Sequence, residues 1–184
     1  MRIIAGTFRS RRLKTLPGVA TRPSSDRLRE TLFNVLGPSV RGAVFADAYA
    51  GSGAVGLEAL SRGAEFVYFL ESHRSAVRVI EANLKSLGLE EGYEILPVDV
   101  CAGLRSLEQR GIRFDVVFLD PPYKEAEAYE RTLALLGDSK LLMPGAVVVA
   151  EHHRKQALAE SFGVLALTRT LRQGDSALGF YRLG

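Results

Sequence analysis

The chain has 184 residues, 47% hydrophobic and 24% charged, enough to bury a sizeable core and too apolar for a disordered polymer. No apolar run reaches the roughly 18 residues of a membrane span. The N-terminal charges are not followed by the apolar stretch of a secretory signal, so a cytoplasmic protein is expected. The single cysteine, Cys101, excludes an internal disulfide and a multi-cysteine zinc site, and small buried packing is the expected role.

Residues 1–15 read as a short hairpin turning near Gly6 to Ser10. A loop with Pro17, Gly18 and Pro23 leads to Ser24, Ser25 and Asp26, which can cap a helix running to about Leu36. Leu28, Leu32, Val35 and Leu36 give it an apolar face at helical spacing, and Gly37-Pro38 ends it. The charge of +3 is unevenly spread: residues 1–41 hold nine Lys and Arg against two acids, and the remainder is acidic by four charges. A basic arm of residues 1–41, rich in Arg9, Arg11 and Arg12, on an acidic body of residues 42–184 suggests a polyanionic partner, a solvated soluble tail being the plain alternative.

From residue 43 the pattern alternates. Strands are expected at residues 43–46, 66–70, 93–98, 114–119 and 146–150, with helices at 53–62, 74–87, 102–110 and 126–136 between them. Unbroken apolar strands separated by amphipathic helices indicate a parallel sheet covered on both faces. Residues 164–171 and 177–183, around Gln173-Gly174-Asp175, read as a closing antiparallel hairpin. The fold class is α/β, a doubly wound Rossmann-like sheet, mostly parallel with an antiparallel C-terminal edge. Ligands of such sheets sit beyond the carboxyl ends of the strands.

Gly51, Gly53 and Gly56 follow the first strand in a G-x-G-x-x-G pattern, which suits dinucleotide enzymes and methyltransferases alike. Glu71, twenty residues after Gly51, can accept from ribose hydroxyls in either case. Asp47 directly before the loop would repel a pyrophosphate but suits a cofactor bearing an ammonium and a sulfonium. Asp99, after the third strand, can accept from an adenine amine or cap the helix that follows. Tyr49 and Val100 are further candidates for the cofactor pocket, with packing the alternative.

Asp120-Pro121-Pro122-Tyr123 ends the fourth long strand. Two prolines fix the backbone and remove both N–H donors. The Asp120 carboxylate and the Pro121 carbonyl remain as acceptors, beside the Tyr123 ring. An exocyclic amine on a base is a poor nucleophile because its lone pair is delocalised. Two acceptors aimed at its hydrogens favour a tetrahedral nitrogen, and an aromatic face holds the base by stacking.

In this order the motifs resemble class I S-adenosylmethionine-dependent amino-methyltransferases. The stretch from Arg22 to Asn34 (RPSSDRLRETLFN), that from Ala50 to Leu60 and Gly174-Asp-Ser-Ala-Leu-Gly-Phe-Tyr181 look like the RsmD family of bacterial 16S rRNA guanine-N2 methyltransferases. The resemblance covers nearly the whole chain. It implies catalytic and base-holding roles for Asp120, Pro121, Pro122 and Tyr123, cofactor contacts at Gly51, Gly53, Glu71 and Asp99, and substrate contacts at Arg22 and Arg27, for which a salt bridge within the helix competes. Arg9 to Arg12 would grip RNA phosphates. The implied partner is 16S ribosomal RNA or the small ribosomal subunit particle; a monomer is the default expectation for the chain. Adenine-N6 methylation of DNA or RNA is the leading rival, a nicotinamide-dependent oxidoreductase a distant one, and a non-catalytic RNA-binding protein a third. No metal is expected: His152-His153 reads as a surface pair without partners at ligand spacing.

Overall fold

A computed structural model describes residues 1–16, 23–122 and 126–184, with the side chains of residues 23–25 and 126 set aside. Helix α1 (Pro23–Leu36) precedes the sheet and runs into a short 3-10 turn (Gly37–Val40). The chain then alternates β1 (Val44–Ala48), α2 (Ala54–Ser61), β2 (Phe66–Leu70), α3 (Arg74–Leu87), β3 (Tyr93–Leu96), α4 (Val100–Gln109), β4 (Phe114–Leu119), α5 (Ala126–Asp138) and β5 (Leu142–His153). Strands β6 (Ser161–Phe162), β7 (Leu165–Gln173) and β8 (Ser176–Leu183) complete it. The sheet order is β3-β2-β1-β4-β5-β8-β7-β6; β1 to β5 are parallel and the last three strands antiparallel. This is the doubly wound α/β sheet with an antiparallel edge that the sequence pattern predicts. Among the described residues no helix is long and apolar enough to cross a membrane.

Each face of the sheet carries its own core. Alternate residues Phe45, Phe69, Phe118, Val149 and Phe180 turn to the face covered by α1, α2 and α3. Ala46, Leu70, Leu119, Ala150 and Tyr181 turn to the face covered by α4 and α5. Burial on both sides explains why these strands are apolar throughout rather than alternating. The period of two also sorts the residues just past each strand onto one face or the other.

The structure departs from the sequence expectations at a few ends. Helix α1 starts at Pro23, so Asp26 lies in its first turn and not at its cap, and pairs with Arg29 at 3.1 Å. Proline tolerates that position because its missing N–H would have had no partner. Helix α4 begins at Val100, two residues early, because the Asp99 side chain accepts from Ala102 N (3.1 Å). Strand β5 is longer than expected: Phe114 pairs with Leu142 before a bulge restores the register at Val116 and Val147. His152 is buried, with Nδ1 3.0 Å from the His153 carbonyl, so the surface reading of this pair is corrected; the period of two turns one histidine inward.

Residues 1–14 form a compact arm, joined by the Arg2–Arg12 bridge and by Ile3 N to Arg11 O (3.0 Å). The arm is fastened to α2. Fully buried Glu58 accepts from Ile4 N (2.7 Å) and Ala5 N (3.0 Å), and pairs with Arg62 (2.7 Å) and Arg29 (3.7 Å). Ser61 accepts from Thr7 N and Phe8 N. Gly6 has φ 83°, and a Cβ there would meet the Ser61 carbonyl at 1.8 Å, so no side chain fits this contact.

Candidate functional site

The glycine loop leaves β1 on the α1 face. Tyr49 adopts a left-handed φ of 62°, Gly51 one of 55° and Gly53 one of 75°. A Cβ on Gly56 would meet the Phe69 ring at 2.3 Å, so the third glycine serves the close packing of α2 on the sheet. Asp47 is buried and accepts from Gly56 N (2.8 Å), which ties the end of β1 to the first turn of α2. Burial pushes its carboxyl up to about 8; the Gly56 N–H opposes this and the Glu71 charge adds to it.

Glu71, at the end of β2, accepts from Gly51 N (2.8 Å) with one oxygen and from His73 N (2.7 Å) with the other. It therefore braces the glycine loop, and each oxygen keeps a lone pair for a further donor. A cavity of about 510 Å³ lies beside it, lined by Tyr49, Gly51, Glu71, Asp99, Val100, Asp120, Pro121, Pro122 and Arg131. Asp99 is at once the α4 cap and an ion-pair partner of Arg131 (3.6 Å). The Tyr49 hydroxyl is 2.8 Å from Thr132 Oγ1, which fixes its ring at the cavity wall.

A second cavity, about 190 Å³, lies beneath α1 and shares Tyr49, Gly51 and Asp120 with the first. Leu28, Arg29, Asp47, Phe118, Glu151 and Leu178 also line it. Asp120 stands where the two cavities meet. Burial raises its carboxyl well above the usual range, and the charges of Glu151 and Asp47 push it the same way. Glu151 is pushed up to about 7 by burial, against a hydrogen bond from Ser176. Three carboxyls thus crowd one end of the sheet, each disfavouring ionisation. A cationic ligand is the natural complement of such a cluster. Pro121 is buried, and its carbonyl lies 3.4 Å from the Tyr129 hydroxyl, which donates to the Glu151 carbonyl at 2.8 Å.

The structure brings Asp47, Tyr49, Gly51, Glu71, Asp99, Val100, Asp120, Pro121 and Pro122 around these two joined cavities; Gly53 lies at the N-terminus of α2, behind the loop. Tyr123 and Arg22 fall outside the described residues. Arg27, Arg9 and Arg12 are exposed. Arg11 is also exposed, and its guanidinium donates to the Ser86 carbonyl. Glu151, Arg29 and Arg131 line the two cavities in addition to the residues that the motifs point to. An acid just after a strand is a visible signal for Glu151; the arginines belong to helices and gave none.

A family model described as "Conserved hypothetical protein 95" matches residues 1–182. The chain belongs to that family. Relatives named "Ribosomal RNA small subunit methyltransferase D" include two of high similarity. The one from Haemophilus influenzae is 38% identical over 159 residues, spanning 86% of this chain and 81% of that one. The one from Escherichia coli K12 is 34% identical over 182 residues, spanning 99% and 89%. Among solved structures, the Escherichia coli protein yhhF superposes with a TM-score of 0.83 at 34% identity, covering 100% of this chain and 97% of that one. The family membership agrees with the resemblance read from the motifs, and the superposition with the methyltransferase-type sheet.

Proposed function

We propose that the chain transfers a methyl group from S-adenosylmethionine to the exocyclic N2 amine of a guanine in 16S small-subunit ribosomal RNA. The observation that carries this reading is Asp120 at the junction of two cavities, one rich in acceptors for a nucleoside and one rich in carboxyls. The residues suit the cofactor: Glu71 and Asp99 offer acceptors to ribose hydroxyls and an adenine amine, and the Asp47 carboxyl suits an ammonium. When bound, S-adenosylmethionine supplies an electrophilic methyl on a sulfonium.

Asp120 and the Pro121 carbonyl accept from the amine hydrogens and turn its lone pair outward, so orientation and fixed dipoles do most of the work. Asp120 need not take the proton first, because the amine becomes acidic as it gains the methyl. Tyr123 stacks on the base, and Arg22 and Arg27 contact the substrate. Residues 1–41 form the RNA-contacting appendage, where Arg9 and Arg12 meet phosphates. The names of the two relatives support an rRNA substrate, and the crowded carboxyls disfavour a nicotinamide pyrophosphate. The enzyme works in the cytoplasm as a monomer.

The test is transfer of labelled methyl to unmodified small-subunit RNA and particles, followed by nucleoside analysis. Label in N2-methylguanosine is the expected result. Label in N6-methyladenosine would retain the mechanism and overturn the base. No label despite cofactor binding would overturn the substrate.

A further inference from the structure

The cavity beneath α1 holds a carboxyl that the amine-binding motif does not use. Leu119 pairs with Ala150 in the parallel register of β4 and β5, so Asp120 and Glu151 are the next neighbours, on strands about 4.8 Å apart. Phe118 and Val149, two residues earlier, both face α1, and both acids line the cavity on that face. Glu151 is held from two directions: its carbonyl accepts from buried Tyr129 (2.8 Å) and its carboxyl from Ser176.

The amine-bearing bases differ at the ring atom beside the amine. Guanine presents N1–H there, a donor. Adenine and cytosine present a ring nitrogen with a lone pair. A carboxylate beside the amine-binding acid therefore accepts from guanine and meets a lone pair on the others. Buried sites built around one hydrogen bond discriminate strongly because the wrong ligand leaves a polar group unpaired.

We propose that Glu151 selects guanine, its carboxylate accepting the ring N1–H while Asp120 accepts from the N2 amine. This rests on the reading of the cleft as a base amino-methyltransferase site. A cationic cofactor nearby favours the ionised form of Glu151.

The test compares guanine with 2-aminopurine, which keeps the 2-amine but has no N1–H. Small-subunit particles are reconstituted with either base at the position that the wild-type chain methylates. The expected wild-type preference for guanine in kcat/KM is about 1,000-fold or more. In Glu151→Gln the amide can donate to the bare N1, and the preference falls below about 30-fold. A far-UV circular dichroism spectrum and a cooperative urea transition matching the wild type show that the variant is folded. Should Glu151→Gln not fold, Glu151→Asp is read instead: the shorter side chain withdraws the acceptor and the preference falls. An unchanged preference, with N2-methylguanosine still formed by the wild type, overturns the role of Glu151 and leaves the methylation reading standing. A wild type that binds cofactor but forms no N2-methylguanosine overturns that reading and this proposal with it.

Discussion

Replacing Asp47 by Asn tests how the cleft manages its negative charge. Burial lifts this carboxyl to about 8 in the folded chain, with Glu71 adding to the rise, whereas an unfolded chain ionises it near ~4. Between those values the folded chain keeps a proton that the unfolded chain has released. Stability is therefore greatest on the acid side of the window and falls as pH rises, by about 1.4 kcal/mol per pH unit for one proton. Over pH 5 to 7 that amounts to about 3 kcal/mol for Asp47 alone. Asn keeps an oxygen for the Gly56 N–H, 2.8 Å away, and removes the titration. Glu151, lifted to about 7, titrates in both proteins and largely cancels. Urea unfolding at pH 5, 6 and 7 should show the wild type losing stability to the variant by about 3 kcal/mol over that range. Parallel curves for the two proteins would refute the reasoning. The same protonation predicts that S-adenosylmethionine binds the wild type more tightly as pH rises toward 8, with proton uptake by the buffer seen by calorimetry, and that Asp47→Asn weakens this dependence, Glu151 retaining its share.

Three further outcomes are expected. Asp120→Ala should cut methyl transfer by about 100-fold or more while cofactor binding persists; unchanged methylation would remove Asp120 from the chemistry. Neutralising Arg9 and Arg12 should weaken RNA binding and flatten the dependence of log K on log salt by about 1.5. Adding Arg11 should change less, because its guanidinium is engaged by Ser86; an unaltered salt slope would discount the arm. Glu58→Ala leaves two backbone N–H groups without their acceptor and removes the partner of Arg62 and one of the two acids beside buried Arg29, and should destabilise the fold by about 3–5 kcal/mol in urea unfolding.

The parallel sheet was legible because strands buried on both faces must be apolar throughout, as Phe114–Leu119 is. The glycine loop and Asp120-Pro121-Pro122 were legible because an ordered run of unusual backbone residues follows a strand in each case. What stayed hidden depends on partners distant in sequence. Glu58 looks like an ordinary helix acid, and nothing local announces that its acceptors serve Ile4 and Ala5, more than fifty residues away. The second cavity is invisible for the same reason, since it needs α1 laid across the ends of β1, β4 and β5. Glu151 was written in the sequence as a strand-end acid, but its neighbour Asp120 is set by the β4–β5 register. His152 and His153 show the limit of composition alone: adjacent identical residues take opposite sides of a strand.

The clasp between the arm and α2 also fixes an order of events in folding. Ile4, Ala5 and Lys14 precede their partners Glu58 and Asn83 by 54, 53 and 69 positions. Closing such loops costs entropy that only the finished partner surface offsets. During synthesis the arm must therefore wait for α2 and α3 before its amides find acceptors. The amides of Ile4, Ala5, Thr7 and Phe8 accordingly report on the end of α2 and not on their own small hairpin. Slow exchange at those amides, lost together with protection in α2, is the signature of an arm that belongs to the body it decorates.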